Sequence, residues 1–215
     1  MITLDPHNTP QGIEDRSFAI IDAEIDPKPF HGDAWQVARR LVHTSGDTGL
    51  VADLWLPDAA VAAGVAAIRA GAPIFTDTEM ARAGMPLRRL SPFGCTVQCL
   101  LAAPGVAELA VAEGITRSRA GVLCLGKAME GSIIAIGNAP TALLAMLEAV
   151  AENGIMPALV VGMPVGFVNA AESKELLVQQ KALHSLVLRG RRGGSPLAAA
   201  TVNALACLAS DGAGV

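Results

Sequence analysis

The sequence predicts a three-layer α/β/α protein with a mostly parallel sheet and a helical N-terminal segment. From residue 72 onward, short runs that are apolar throughout alternate with alanine-rich helical patterns, and glycine or proline separates them. Strands that are apolar on both faces and alternate with helices are typical of a parallel sheet covered on both sides. Hydrophobic residues make up 52% of the chain and charged residues only 17%, which argues against disorder.

The elements follow from this pattern in chain order. The first 70 residues are predicted to be purely helical, with helices at 13–24, 33–45 and 57–70. Pro57 at the start of the third helix and Gly71 just past its end are the usual residues at these places. Strands are then predicted at 72–76, 95–100, 133–136, 158–161 and 186–188, and helices at 79–83, 106–113, 118–130, 140–152, 171–179 and 196–209. No linker or repeat interrupts the chain, so residues 1–215 are predicted to form one domain.

Charge and composition narrow the class of ligand. Twelve of the sixteen basic residues are arginines, mostly in clusters, yet the net charge is −4. An acidic chain with 3% aromatic residues and no tyrosine is a poor candidate for binding nucleic acid. Guanidinium groups pair two-to-two with carboxylates or phosphates, so the clusters suit a small, multiply anionic ligand. Solvated surface arginines are the alternative that composition leaves open.

Targeting and metal signals are absent from the sequence. No apolar stretch reaches the roughly 20 residues that span a bilayer, and no signal peptide is recognised at the start. The four cysteines form no C-x-x-C pair, which predicts no metal site and a location in the reducing cytoplasm. The glycine fingerprints of dinucleotide and P-loop sites are also missing.

Ligands of open parallel sheets bind beyond the carboxyl ends of the strands, which directs attention to four loops. Each loop carries glycine or a helix-capping residue and can present backbone N–H groups to an anion; the loops are 76–78, 137–141, 162–167 and 189–196. Asn138 and Ser195 could equally be ordinary N-caps beside a proline, and for Ser195 we favour that interpretation. Four such loops, one with three arginines, predict a shared anion-binding crevice.

His43 is the candidate for proton transfer. It lies at the edge of the apolar stripe of the predicted helix 33–45, with Arg39 and Arg40 one turn earlier. Histidine readily takes up and releases a proton near neutral pH, and a bound polyanion would favour its protonated form. A structural or surface role is the alternative.

Seven segments resemble the precorrin-8X methylmutase family of corrin-ring biosynthesis. They occur in family order over nearly the whole chain: DRSFAII (15–21), RRLVHTSGD (39–47), GAPIFTDTEM (71–80), TRS (116–118), AIGNAPTAL (135–143), GMPVGFVNAAESKE (162–175) and GRRGGS (190–195). The stretch QKALHSLVLRG departs from the family pattern at Lys181 and His184.

The resemblance implies a Rossmann-like α/β fold and a homodimer with active sites at the subunit interface. It implies a 1,5-sigmatropic methyl shift from ring carbon 11 to ring carbon 12, which converts precorrin-8X to hydrogenobyrinate without any cofactor. The substrate is a tetrapyrrole-derived polycarboxylate, which suits the arginine clusters.

Site residues carry over by motif. The resemblance implies that His43 is the catalytic proton donor and acceptor, and that Ser17, Arg40 and Arg117 contact the substrate. The predicted substrate-binding residues, with two from the loop 137–141, are Ser17, Arg40, Arg117, Asn138 and Thr141.

Three alternatives stay open. The same shift could act on cobalt-precorrin-8, because the metal would arrive with the substrate. A non-catalytic carrier of corrinoids would share the ligand but not the role of His43. An NAD(P)-dependent oxidoreductase ranks last, because the glycine fingerprint is missing.

Overall fold

A computed structural model describes residues 9–211. Within them the helices are Pro10–Glu24 (α1), Gly32–Ser45 (α2), Asp58–Arg69 (α3), Glu79–Ala83 (α4), Leu87–Leu90 (α5), Val106–Ala112 (α6), Arg117–Leu125 (α7), Pro140–Asn153 (α8), Ala170–Gln179 (α9) and Ser195–Asp211 (α10). The strands are Leu54–Trp55 (β1), Ile74–Thr76 (β2), Val97–Cys99 (β3), Ile133–Ile136 (β4), Leu159–Gly162 (β5) and Ser185–Leu188 (β6). Short 3₁₀ helices lie at Thr48–Asp53, Ser91–Phe93, Leu100–Ala102 and Gly126–Met129.

The six strands form one sheet in the order β1-β6-β5-β4-β2-β3. Strands β2 to β6 are parallel, whereas β1 pairs antiparallel with β6, with Leu54 opposite Leu188. The predicted mostly parallel sheet is therefore confirmed. Strand order reverses between β2 and β4, and the crevice at such a switch point is the usual ligand position in a doubly wound sheet.

Helices cover both faces of the sheet, which gives the predicted three layers. Alternate residues of β4 serve the two cores: Ile133 packs with α2, α3 and α10, whereas Ile134 packs with α7 and α8. All four residues of β4 are buried because successive side chains point to opposite, equally covered faces. We call the layer with α1, α2, α3 and α10 the first face and the layer with α7, α8 and α9 the second face.

Two predictions about elements were wrong. The first 70 residues are not purely helical, because they include β1. A two-residue strand is too short for a periodic pattern, and its pairing with β6 is set by tertiary structure. The predicted helix 118–130 ends at Leu125, because Gly126 adopts a positive φ of 49° that an α-helix does not allow.

The other predicted elements are present, most of them with shifted bounds. The predicted strand 133–136 and helix 79–83 match β4 and α4, and the predicted strand 95–100 shortens to Val97–Cys99. The helix α5 was not predicted, since four residues show too little periodicity. Among residues 9–211, no helix has the length and apolar character required to cross a bilayer.

Candidate functional site

The loops that follow the parallel strands meet at one edge of the sheet, as predicted. The backbone N–H of Gly194, after β6, donates to the carbonyl of Met163, after β5, at 2.9 Å. The hydroxyls of Thr78, after β2, and Ser195 lie 2.8 Å apart. Hydrogen bonds thus tie together loops from separate strands at the edge where a ligand is expected.

In the loop after β4, backbone N–H groups are already bound by a carboxylate of the protein itself. The carboxylate of Asp77, which is 0% exposed, accepts backbone N–H groups from Gly137 at 2.9 Å, Asn138 at 2.8 Å and Ala139 at 2.7 Å. Burial raises the pKa of Asp77, while the three donors oppose that rise. The prediction that these N–H groups face a ligand was therefore wrong, because they are bound by Asp77, which directly follows β2.

The remaining groups of this loop lie around the starts of α7 and α8. Ala139 is the N-cap of α8, so Asn138 is not a cap, and its side chain is exposed. Thr141, in the first turn of α8, has its hydroxyl 2.9 Å from that of Thr116, the N-cap of α7. Arg117 follows directly and is exposed. The structure thus places Arg117, Asn138 and Thr141 near the starts of α7 and α8, which the Thr116–Thr141 contact holds together.

His43 lies elsewhere, in a cleft between α1 and α2. It is exposed in the last turn of α2, at the edge of a helix face that is otherwise buried, as predicted. The cleft has a volume of about 280 Å³, and its walls are Ser17, Ile20, Ile21, Glu24, Val42, His43, Gly46 and Thr48. We call it the His43 cleft. Ser17 and His43 are therefore brought together, and the Ser17 hydroxyl donates to the Ile13 carbonyl at 2.8 Å.

The ring of Phe18 contacts both His43 and the neighbouring residues Arg39 and Arg40. It meets the imidazole of His43 edge to face, with 5.5 Å between ring centroids. The guanidinium carbons of Arg39 and Arg40 lie 4.2 Å and 4.9 Å from the centroid of the same ring. Sequence reasoning missed Phe18, although it follows Ser17 directly in the segment DRSFAII.

Both arginines beside Phe18 have carboxylate partners in the protein. Arg39 pairs with Asp22 at 3.0 Å, and Arg40 pairs with Glu14. The positive charge that the sequence places beside His43 is therefore partly neutralised. A ligand carboxylate that binds Arg40 has to share the guanidinium with Glu14 or displace it.

The three arginines after β6 do not all point into one crevice. Arg189 pairs with Glu175 at 3.3 Å. Arg191 lies over the ring of the exposed Phe167, with its guanidinium carbon 5.3 Å from the centroid.

Arg192 instead reaches towards the end of α2. It pairs with Asp47 and, at 2.6 Å, with Asp53, and it donates to the carbonyl of Gly49 at 3.2 Å. Its own carbonyl accepts the ammonium of Lys174 at 2.7 Å, and Lys174 is 0% exposed. The sequence left open which of these arginines face the predicted crevice, and the structure shows that Arg192 is engaged within the protein.

The predicted site residues form two groups that belong to opposite faces of the sheet. Ser17, Arg40 and His43 come from α1 and α2 on the first face. Arg117 and Thr141 come from α7 and α8 on the second face. Lys181 and His184 belong to neither group, since they line a separate cleft where β6 begins.

Cysteines and acidic side chains do not form a metal site in the part of the chain described. Cys95 and Cys99 are buried, Cys124 is exposed and Cys207 is half-buried, and all four are free thiols. Between residues 9 and 211 no group of three or more His, Cys, Asp or Glu side chains could hold a metal ion.

Comparisons with known proteins place the chain in a family. The sequence profile of the precorrin-8X methylmutases matches residues 12–208. A precorrin-8X methylmutase of Pseudomonas aeruginosa is 44% identical over 197 residues, which cover 91% of this chain and 94% of the relative. A cobalt-precorrin-8 methylmutase of Leptospira interrogans is 37% identical over 213 residues, covering 94% and 96%. The solved structure of a Thermus thermophilus precorrin-8X methylmutase superposes with a TM-score of 0.85 at 42% identity, covering 93% of this chain and 98% of that one. The chain therefore belongs to the precorrin-8X methylmutase family.

Proposed function

We propose that this protein is an isomerase that moves a methyl group from ring carbon 11 to ring carbon 12 of precorrin-8X, giving hydrogenobyrinate. The bond from the methyl group to carbon 11 breaks, the bond to carbon 12 forms, and the ring π-bonds rearrange. Nothing is added or lost, so the reaction needs no external reactant. A cobalt-containing ring is an equally suitable substrate, because relatives of both names match this chain over nearly its whole length.

The observation that supports this proposal most is the exposed imidazole of His43 in a cleft it shares with Ser17. A proton donated from His43 to the ring draws π-electrons away from the carbon that carries the methyl group. Once the methyl group has moved, His43 takes a proton back. Positioned proton transfer of this kind contributes about 10²–10⁴-fold in rate. Holding the ring in the reactive geometry and excluding water supply the rest.

Recognition of the substrate rests on its carboxylates. In this proposal the guanidinium of Arg40, held over the ring of Phe18, and that of the exposed Arg117 each bind an acetate or propionate side chain. Asn138 and Thr141 contribute hydrogen bonds beside Arg117, and Ser17 contributes one beside His43.

We propose further that the protein acts as a homodimer whose sites contain groups from both subunits. The two groups of site residues belong to opposite faces of the sheet. The His43 cleft, at about 280 Å³, is smaller than the roughly 300–1,000 Å³ of sites that enclose drug-sized ligands, and a corrin with its side chains is larger. A second subunit would place Arg117 opposite His43 and enclose the ring.

Mixing two impaired variants tests the shared site, at a substrate concentration too low to saturate Arg117→Ala. If each site takes His43 from one subunit and Arg117 from the other, His43→Ala mixed with Arg117→Ala should recover about a quarter of wild-type turnover, because half of the dimers then hold one intact site. Light scattering should show a dimer. A monomer, or no recovery after proven subunit exchange, contradicts the shared site.

The function itself is tested by His43→Ala with metal-free and cobalt-containing substrate. We expect hydrogenobyrinate to co-elute with the variant, seen by its visible absorbance, and turnover to fall at least about 100-fold. His184→Ala is the matched control, because this exposed histidine lies in the separate cleft at β6. Full turnover by His43→Ala removes His43 from the mechanism. A wild-type protein that binds both rings but converts neither is a carrier.

We also propose a cytoplasmic location. Four free cysteines agree with a reducing compartment. Fractionation of the cells that produce the protein is the test, and recovery outside the cytoplasmic fraction would contradict it.

A further inference from the structure

One wall of the His43 cleft is the turn that follows α2. Gly46 and Thr48 line the cleft together with His43. Gly46 ends α2 in the left-handed conformation, at a φ of 65°, and the 3₁₀ helix Thr48–Asp53 follows. The carboxylate of Asp47 caps this short helix by accepting the N–H of Gly49 at 2.9 Å. Because the segment is a turn on the surface, its position depends on what holds it.

Arg192 holds that turn on both sides of Thr48. Its guanidinium binds the carboxylate of Asp47 before Thr48 and the carbonyl of Gly49 after it, at 3.2 Å from the latter. The same group binds Asp53, at the end of the 3₁₀ helix, at 2.6 Å. Three acceptors on one planar fork define a single orientation, which one ammonium could not reproduce.

The backbone at Arg192 is itself held by contacts with α9 and with the loop after β5. The buried ammonium of Lys174, on α9, donates to the carbonyl of Arg192 at 2.7 Å. The next residue, Gly193, approaches so closely that a Cβ there would lie 2.2 Å from the carbonyl oxygen of Met163. The base of the Arg192 side chain is therefore held by one buried charge and one close backbone contact.

We propose that Arg192 is a positioning residue for the His43 cleft: it fixes the turn 46–49, and through it the last turn of α2 that carries His43. Lys174 supports it through the Arg192 carbonyl. This inference rests on the proposed function for its catalytic consequence only, because the effect on the position of His43 can be measured without turnover.

The test is Arg192→Ala, read out by the NMR signal of the His43 ring and by steady-state kinetics. The signal is assigned from its loss in His43→Ala. We expect it to move or broaden in Arg192→Ala, and kcat/KM to fall about tenfold to a hundredfold, as for other misplaced catalytic groups. Arg192→Lys should show the same changes in part, because it keeps the charge but not the fork.

Arg82→Ala is the matched control. Its side chain is 44% exposed, against 43% for Arg192, and it also pairs with a carboxylate, that of Glu79. Both variants should keep wild-type thermal stability to within a few degrees, and Arg82→Ala should leave the His43 signal and the kinetics unchanged.

Two results would overturn the inference. The first is an Arg192→Ala protein with wild-type His43 signal, kcat and KM. The second is a higher KM with an unmoved His43 signal, which would make Arg192 a direct substrate contact. Neither depends on the fate of the proposed function, because a fully active His43→Ala would refute the proton-transfer role while leaving the NMR result of Arg192→Ala intact.

Discussion

The proposed ligand contacts lie in two regions, the start of α8 and the His43 cleft, and each region contains or adjoins one fully buried charged side chain. One of these charges binds its loop directly, and the other acts through a second side chain. At the start of α8, the carboxylate of Asp77 binds three backbone N–H groups of the loop directly. At the His43 cleft, the ammonium of Lys174 binds the carbonyl of Arg192, whose side chain then reaches out to the turn after α2.

The difference shows where polar groups remain available. In the loop after β4, the backbone donors are satisfied by Asp77, so the proposed ligand would have to bind side chains such as Asn138 and Thr141. In the His43 cleft, the buried charge acts at a distance, and the imidazole remains exposed. A polar loop at a sheet edge therefore does not bind a ligand by its backbone merely because it contains glycine.

The largest effect is expected from removing the carboxylate of Asp77, which binds the loop after β4. Asp77→Ala leaves three backbone donors without their acceptor, so the free energy of unfolding should fall by about 3–5 kcal/mol. Urea denaturation measures this, with Asp77→Asn as the shape-matched control that should lose less. The His43 ring signal should stay unchanged, because the loop lies apart from the cleft. A loss below about 1 kcal/mol would show that Asp77 does not hold the loop.

The buried ammonium of Lys174 is tested by the pH dependence of the free energy of unfolding. Burial lowers the pKa of Lys174 from 10.5 to about 8, while Asp53 and Glu175 oppose the change. Between these values the unfolded chain holds a proton that the folded protein has released, so the contribution of Lys174 to stability should rise with pH across this window. The buried thiols of Cys95 and Cys99, whose pKa values burial raises, contribute in the opposite direction, so the Lys174 effect is read as the difference between wild type and Lys174→Met. The rise should be on the order of 3 kcal/mol, and Lys174→Met should remove it. Equal slopes for variant and wild type in urea unfolding across the window would contradict this.

The affinity for hydrogenobyrinate tests both regions, since Arg40 lies near the His43 cleft and Arg117 near the start of α8. Arg40→Ala and Arg117→Ala should each weaken hydrogenobyrinate binding by about 1–3 kcal/mol if both guanidinium groups hold carboxylates. Arg40→Lys should also bind less tightly, because the planar fork is lost. Absorbance titration measures the change, with Arg119→Ala, whose partner is Glu148, as control. Unchanged affinity in one variant would show that its guanidinium does not bind the ligand.

The smallest effect is expected at Phe18. Phe18→Leu keeps an apolar side chain but removes the edge contact with His43 and the surface under Arg39 and Arg40. The loss of stability should be about 1 kcal/mol. The His43 signal should shift, whereas the fold around Asp77 should not respond. Calorimetry and the same NMR signal measure the two effects, and an unmoved signal would show that Phe18 does not orient the imidazole.

Local patterns predicted the elements that depend on local information. The run at 133–136 is apolar at every position and forms a strand buried on both faces. The amphipathic pattern of 33–45 predicted α2 and placed His43 at the edge of its buried stripe. The strand β1 was missed, because two residues contain no period and antiparallel pairing with β6 decides their conformation.

Partners between distant segments were not predictable. Asp77 follows a buried strand and precedes a capping threonine, which does not reveal that its carboxylate fills the loop after β4. Lys174 lies among charged residues of α9, so its complete burial was not expected either. In both cases the partner comes from another strand's loop, and only the order of strands in the sheet brings the two together.

By itself, the sequence determined the alternation of strands and helices, the family and the position of His43 at the edge of its helix's apolar stripe, because periodicity and contiguous motifs are local properties. The tertiary structure alone decided which charges are already satisfied and which face of the sheet each candidate residue belongs to. The physical reason is that burial and pairing of a charge depend on neighbours that chain folding supplies from other elements.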